Sequence, residues 1–386
     1  MKRNLITAAF LLGSLALSSS SFGGIYEYPY IYKDPSVMGM GGAYTAVGGS
    51  INSLFYNPAG LSNIKREAGF EVTLLKLGGS LSSNFFDFAN DFQDVLDIDN
   101  DTEQLTALND LILKYLGENF HFDLQGLALG VAKNNEKLAF GFTLVGSFQA
   151  NFATHQGAGT DGLLEVHQKA YAGAIAGVSY RFLDDKLKAG FGVKAFYAET
   201  VDHTFTTSEI LDHQDDLDTY IEDNYLKDGT AISFDVGFIY DVAPDNYFNP
   251  QVGVSVLNIG DLDFGEAGKI PMSVNLGLAL RPKFEGFRGF FKEPVFALDV
   301  IDVTQNNGVD EDWGKRIRIG GEIKVWENKW TAWILRGGLY QGYPTFGTDF
   351  RLGLINFQFA TYAEEVGGYA GQEEDRRYMA SVSLEW

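Results

Sequence analysis

A transmembrane antiparallel β-barrel of about fourteen strands is the fold that this 386-residue sequence predicts. Three observations predict it. Stretches of apolar/polar alternation recur down to the last residue, and long and short connections between them take turns. Past the N-terminal residues, nothing approaches the ~18 consecutive apolar residues of a membrane-spanning helix. The final stretch is the clearest case: one parity reads Tyr378, Ala380, Val382, Leu384, Trp386 and the other Arg377, Met379, Ser381, Ser383, Glu385. A strand with this spacing has one greasy and one polar face.

Taken in order, the chain opens with Lys2 and Arg3, an apolar run over 5–17 and small residues to Ser21-Phe22-Gly23. That is the layout of a cleavable secretory signal over 1–23, with a mature chain starting near Gly24. A glycine-rich segment follows over 24–65, and the barrel is expected over 66–386. Its strands are expected near 67–78, 123–132, 137–150, 166–182, 187–201, 230–242, 251–259, 272–281, 294–303, 314–326, 330–341, 346–353, 356–363 and 377–386. Ile232, Phe234, Val236, Phe238 and Tyr240 share one face, as do Ile317, Ile319, Ile323 and Val325. A soluble sandwich would alternate in the same way, but its connections would not. Links 79–122, 151–165, 202–229 and 364–376 are long, whereas 133–136, 183–186, 243–250 and 327–329 are short. Link 282–293 fits this scheme least well. Long loops at one end and short turns at the other, with an even strand number, are the habit of outer-membrane barrels. Closure leaves no unpaired edge in lipid.

Composition narrows the function classes. The formal charge of -22, two units deeper without Lys2 and Arg3, argues against nucleic acid as a partner. With no cysteine there are no disulfides, no lipoprotein acylation and no thiol chemistry. At 45% hydrophobic and 14% aromatic residues the chain is not a disordered acidic tail, and 45 glycines suit short-turned β structure. His121, His155, His167, His203 and His213 make no metal-ligand spacing. Asp97, Asp99 and Asp101 begin like a calcium loop, but Thr102 and Leu108 replace its glycine and glutamate. No serine sits in a nucleophile motif, so neither an enzyme nor a cofactor or metal is expected.

The glycine cluster Gly39, Gly41, Gly42 resembles a dinucleotide fingerprint only at its start, because Tyr44 takes the third glycine's place and no strand precedes it. Gly190 and Gly192 lie inside an alternating strand and open no helix. The wider stretch SVMGMGGAYTAVGGSINSLFYNPAGLSNI, with its Asn57-Pro58-Ala59 triplet, resembles the N-terminal segment of the outer-membrane long-chain fatty acid transporter (FadL-like) superfamily. That superfamily has relatives in hydrocarbon uptake, PorV-like secretion barrels and TraF-like conjugal transfer proteins. In its transporter branch the resemblance implies fourteen strands, an N-terminal segment folded back as a plug, capture of hydrophobic ligands outside, and lateral release into the membrane. A glycine-rich leader on the periplasmic rim is the alternative to a plug.

Other candidate sites follow. Phe85, Phe86, Phe88 and Phe92, with a helix-compatible stretch 91–119 presenting Leu105, Leu108, Ile112 and Leu116, could form a hydrophobic capture groove or pack over the barrel mouth. The acidic stretch 209–223 is a solvated loop or a site for cations bridging to lipopolysaccharide. Arg316, Arg318, Glu322, Lys324, Arg336, Asp349, Arg351 and Arg377 fall on the polar face as lumenal ion pairs, or as a carboxylate site for an amphipathic ligand. Tyr378, Val382, Leu384 and Trp386 resemble the C-terminal signal read by the barrel assembly machinery. The expected function is passive uptake of a hydrophobic small molecule across the outer membrane of a Gram-negative bacterium, among lipids and lipopolysaccharide. A scaffold for a secretion or conjugation-like apparatus is the alternative.

Overall fold

Fourteen antiparallel strands close into a single barrel, each hydrogen-bonded to its sequence neighbour and the last to the first. The structure, a computed structural model, describes residues 27–66, 69–157, 162–213, 216–284, 286–307 and 312–386. The expected signal peptide lies outside them. The strands are β1 (Phe70–Ser82), β2 (Asn119–Asn134), β3 (Leu138–Gln156), β4 (Gly162–Phe182), β5 (Leu187–Thr206), β6 (Lys227–Asp241) and β7 (Pro250–Ile259), then β8 (Ser273–Leu280), β9 (Lys292–Val300), β10 (Ile317–Glu327), β11 (Thr331–Tyr340), β12 (Tyr343–Leu352), β13 (Ile355–Glu365) and β14 (Glu374–Glu385).

The alternation read from the sequence becomes two environments. One parity faces outward and stays exposed: Leu75 and Leu77, Phe234 and Phe238, Leu276 and Leu278, Ile317 and Ile319, Val382 and Leu384. A continuous apolar belt of this kind is buried only by hydrocarbon. The opposite parity faces the lumen. Register shifts at Thr73/Leu75, Ala128/Val131 and Lys324/Trp326 interrupt the strict period. Each marks an extra residue that bends its strand. The last explains Val325, which the sequence parity places outward with Ile317 and Ile319 but which is buried.

The wall is uneven in height. Strands β2 to β5 have 16, 19, 21 and 20 residues, whereas β7, β8 and β9 have 10, 8 and 9. About 9–11 tilted residues cross the hydrocarbon, so β2 to β5 rise well beyond it. Most of 151–165, expected as a loop, is therefore strand, with only the tip linking β3 to β4. The link between β11 and β12 departs the other way: Gln341 and Gly342, with φ of 52° and 91°, make a tight turn at the end where a long loop was expected.

On the tall wall sits a packed cap. The stretch expected as one helix over 91–119 is two, α3 (Phe85–Leu96) and α4 (Asp101–Lys114). They break where the Asn100 side chain accepts from the Thr102 and Glu103 amides and starts α4 afresh. Helices α5 (Thr207–Asp212) and α6 (Leu217–Asn224) complete the cap from the acidic stretch 209–223. Their Ile210, Leu217 and Ile221 pack with Phe88, Leu108 and Leu111 against Phe120, Phe152, Val166 and Phe205 of the wall. Leu116, beyond the end of α4, is exposed.

The ladder between β14 and β1 closes the barrel. Trp386 N donates to Val72 O at 3.0 Å and Val72 N to Trp386 O at 2.9 Å, ending the β14–β1 ladder that pairs Leu384 with Leu75 and Val382 with Leu77. Deleting Trp386 removes both bonds and an outward aromatic residue. The heat-modifiable, folded band on gels of membrane fractions is expected to fall several-fold, with export unaffected. An unchanged folded yield would contradict this role.

Candidate functional site

The lumen is occupied by the chain's own N-terminal segment. Because the wall strands satisfy each other's backbone groups, the segment's amides and carbonyls must find partners within the segment or among inward side chains. Many close short turns within the segment, such as Met38 N to Asp34 O at 2.9 Å, and others reach the wall. Gln149 and Ser147 donate to the Tyr30 and Ile31 carbonyls at 2.9 and 2.7 Å. Gln125 accepts from the Lys33 amide at 3.0 Å and donates to its carbonyl at 2.5 Å. Thr345 donates to Gly39 O at 3.0 Å. One oxygen of Asp299 accepts from the amides of both Tyr44 and Thr45 at 2.7 Å. At the exit, Asn134 donates to Ser62 O and Ile64 O at 3.0 and 2.6 Å, and the Ser62 and Ser179 hydroxyls meet at 2.7 Å.

Glycine makes this approach possible on both sides. A Cβ on Gly39 would sit 2.7 Å from the Cα of Gly347, and one on Gly41, whose φ is +64°, would sit 2.6 Å from Leu339 O. The wall answers with glycines of inward parity: Gly320 lies against Met40, Gly253 and Gly277 against Thr45 and Ala46, and Gly141 and Gly177 against Leu54 and Leu61. The Asn57-Pro58-Ala59 triplet occupies a cradle of this kind. A Cβ at Gly190 or Gly237 would collide with it. Asn57 turns the chain by accepting from Ala59 N at 3.0 Å, and its amide reaches Thr45 O at 2.7 Å, Val254 O at 3.3 Å and Phe238 O at 3.4 Å. After the short helix α2 (Ser53–Tyr56), Pro58 begins a 3₁₀ turn (Pro58–Asn63).

Ion pairs fix the start of the segment. Asp34 caps helix α1 (Pro35–Gly39) by accepting from Ser36 N at 2.9 Å, and pairs with Lys76 of β1 at 2.5 Å. Burial opposes its ionisation, but Lys76 and Ser36 bring its carboxyl down to about 2. Glu27 meets Arg377 and Lys33, both at 2.8 Å, and Lys33 also meets Glu364 at 2.9 Å. Burial again works against the charge, yet Arg377 and Lys33 hold Glu27 well below the usual carboxylate range.

The residues expected to form a lumenal charge network fall into separate groups. Arg336 bridges Glu322 and Asp349 at 2.7 and 2.5 Å. Lys324 meets Glu293 and Glu327 at 3.1 and 2.8 Å, with Arg351 3.8 Å from Glu327. Arg316 pairs with Asp302 at 3.1 Å, Arg377 joins Asp375 to Glu27, and Arg318 stacks on Tyr340. Phe85, Phe88 and Phe92 are buried in the cap, with the Phe88 ring 4.1 Å from that of Phe120, while Phe86 is exposed. Tyr378, Val382, Leu384 and Trp386 lie on the lipid-facing side. His155 and His167 meet on Glu165 at 2.7 Å each, and no group suited to a metal ion occurs among the described residues. Sequence reading missed Glu27, Lys33, Asp34, Lys76 and Asp299, and did not single out the wall glycines. Their signal was present: Asp299, Gly237, Gly253 and Gly320 all stand on the inward parity of their strands.

On opposite sides of the segment lie cavities of unlike polarity. Toward the short turns lies a cavity of about 450 Å³ edged by Lys65, Glu71, Glu293, Lys324, Arg351 and Glu385. Toward the long loops lies one of about 190 Å³ whose walls include Tyr28, Tyr32, Phe55, Ile175, Leu257 and Tyr340. The cap phenylalanines line neither.

A closed transmembrane barrel whose lumen is filled by its own N-terminal segment is the class of protein that these observations define. Neither a known family model nor a curated protein sequence matches the chain. Among solved structures, the Ralstonia pickettii toluene transporter TbuX is similar, with a TM-score of 0.50 at 13% identity over 93% of this chain and 99% of its own. It has the same barrel fold. The Pseudomonas putida toluene transporter TodX aligns over 96% of this chain and 98% of its own at 12% identity, TM-score 0.42. A Pseudomonas aeruginosa FadL homologue aligns over 94% and 99% at 9% identity, TM-score 0.31.

Asn57 and its cradle can be tested by substitution. Asn57→Ala leaves buried backbone groups unpaired at a cost of about 1–3 kcal/mol, and Gly237→Ala, which displaces the same side chain, is expected to cost a similar ~1–3 kcal/mol. Gly146→Ala, in a strand position with nothing within 4 Å of its Cβ, serves as control. Thermal melts followed by the heat-modifiable gel shift should drop for the first two variants only. Equal melts for all three would contradict the cradle.

Proposed function

We propose that this protein is an outer-membrane channel that admits small hydrophobic molecules passively, entering at the long-loop end, and that the segment 27–64 acts as its plug. The observation that carries the reading is the aromatic cavity on the long-loop side of the plug, set against the charged cavity on the other. A cavity of about 150 Å³ lined by apolar side chains takes up benzene, so the aromatic cavity, at about 190 Å³, suits a molecule of one ring better than an extended chain. The shared fold with a protein described as a toluene transporter supports the same substrate class. A hydrophobic guest leaving toward the short turns would meet ion pairs. This polarity favours escape sideways into the membrane, which the resemblance to the fatty acid transporters also suggests. On this reading residues 1–23 direct export and are removed, the long loops face lipopolysaccharide, and the assembly machinery reads β14.

One observation favours the second reading, a scaffold in a secretion or conjugation-like apparatus. The long-loop cap is packed, with Phe88 and Phe92 buried rather than lining a groove, and a rigid cap suits docking. Uptake separates the two. Cells lacking the protein should accumulate toluene several-fold more slowly from dilute solution, with recovery on complementation. Unchanged uptake across a panel of monoaromatic and long-chain compounds would remove the channel reading and favour the scaffold.

A further inference from the structure

The aromatic cavity contains a cation that forms no ion pair, with the counter-charge of Asp299 standing opposite it in the ladder. Arg318 is 1% exposed and lines the cavity, with its guanidinium carbon 3.9 Å from the centre of the Tyr340 ring. Its Nη1 donates to Lys315 O and Ile317 O at 2.7 and 3.1 Å, and its Nη2 has no hydrogen-bond partner. Among the described residues it forms no ion pair, whereas Lys33, Lys76, Lys194, Arg336 and Arg377 each meet a carboxylate. The carboxylate facing it across the β9–β10 ladder is Asp299. One oxygen of Asp299 is taken by the Tyr44 and Thr45 amides, and the other has no partner. A second donor without a partner, the Tyr30 hydroxyl, lines the same cavity. The plug leaves room for the stacked pair: a Cβ on Gly42 would lie 3.1 Å from Arg318 Cδ and 2.9 Å from the Tyr340 ring.

An arginine withheld from water is costly unless an anion meets it, and a guanidinium whose carbon lies over a ring has an N–H edge left for a planar acceptor. We infer that Arg318 is the polar anchor of this cavity and that the molecule it takes is a compact aromatic monocarboxylate of the benzoate type. The ring packs among Tyr28, Tyr32 and Phe55, one carboxylate oxygen accepts from Arg318 Nη2, and Tyr30 supplies a donor to the other. The inference rests on the channel reading and sharpens it: the favoured guest carries a charge that a hydrocarbon lacks.

Binding of benzoate and of toluene to the purified full-length barrel in detergent, each measured by equilibrium dialysis, tests this. The wild type is expected to bind benzoate at least tenfold more tightly than toluene. Arg318→Met should weaken benzoate by roughly 10- to 100-fold and change toluene by less than about threefold, while Arg318→Lys retains part of the benzoate affinity because it keeps the charge. If Arg318→Met does not assemble, as judged by heat-modifiable migration, Tyr30→Phe and the wild-type preference carry the test, with Tyr30→Phe expected to weaken benzoate alone. Equal binding of the two probes, or benzoate affinity untouched by Arg318→Met with only the melt lowered, would show that Arg318 merely balances Asp299 and overturn the inference. Binding of toluene without benzoate overturns the inference and leaves the channel reading standing. Binding of neither overturns both.

Discussion

Every backbone group of a closed barrel is already taken by the neighbouring strand, and that constraint governs the rest of this structure. A second length of chain inside the lumen cannot pair with the wall as a strand would, so its polar groups close short turns on themselves or need a side chain delivered to the right place. Asp299, Gln125, Gln149, Thr345 and Asn134 are delivered in that way, from the inward parity of four strands. Wherever no side chain stands between the two backbones, glycine stands on one or both of them. The polarity of the lumen is thus the consequence of lodging a peptide there.

The same arrangement divides the interior. Ion pairs gather where the segment enters and where Lys76 meets Asp34, and breaking one partner of such a buried pair typically costs about 3–5 kcal/mol. These pairs hold the segment across the barrel so that an aromatic space is left on one side and a charged one on the other. The tall wall of β2 to β5 carries the packed cap, and the low wall of β7 to β9 adjoins the aromatic cavity through Leu257, Asn275 and Ile301. Passage, on the proposed reading, is therefore asymmetric around the barrel as well as along it.

Much of this was legible in the sequence. Alternation placed all fourteen strands, because lipid accepts only apolar side chains on one parity and the demand is the same from Leu75 to Leu384. Strand ends were less legible: nothing in 151–165 marks where membrane stops and protruding ladder continues, and the Gln341–Gly342 turn was hidden by the habit of long loops at that end. The plug was legible only by resemblance. Its counterpart in the wall was not seen, since Gly190 was read only as part of an alternating strand and nothing singled out Gly237 as a neighbour of Asn57. Isolated charges such as Lys33 and Asp299 have no period, and their partners across the lumen, Glu364 and the Tyr44 and Thr45 amides, lie hundreds of residues away in sequence. Phe85, Phe88 and Phe92 stand out as an aromatic run, but spacing alone does not separate a groove from a packed cap.

Placement of the segment inside the barrel is the central claim, and the chain's lack of cysteine permits a direct test. The hydroxyls of Ser62, at the segment's exit, and Ser179, on the wall of β4, lie 2.7 Å apart. A Ser62→Cys/Ser179→Cys double variant, oxidised in membranes and cut by protease between the two positions, is expected to yield fragments joined until a reductant is added. Each single variant should give none. Fragments that separate without reductant, from a barrel that has assembled normally, would contradict the account and place the segment outside the lumen.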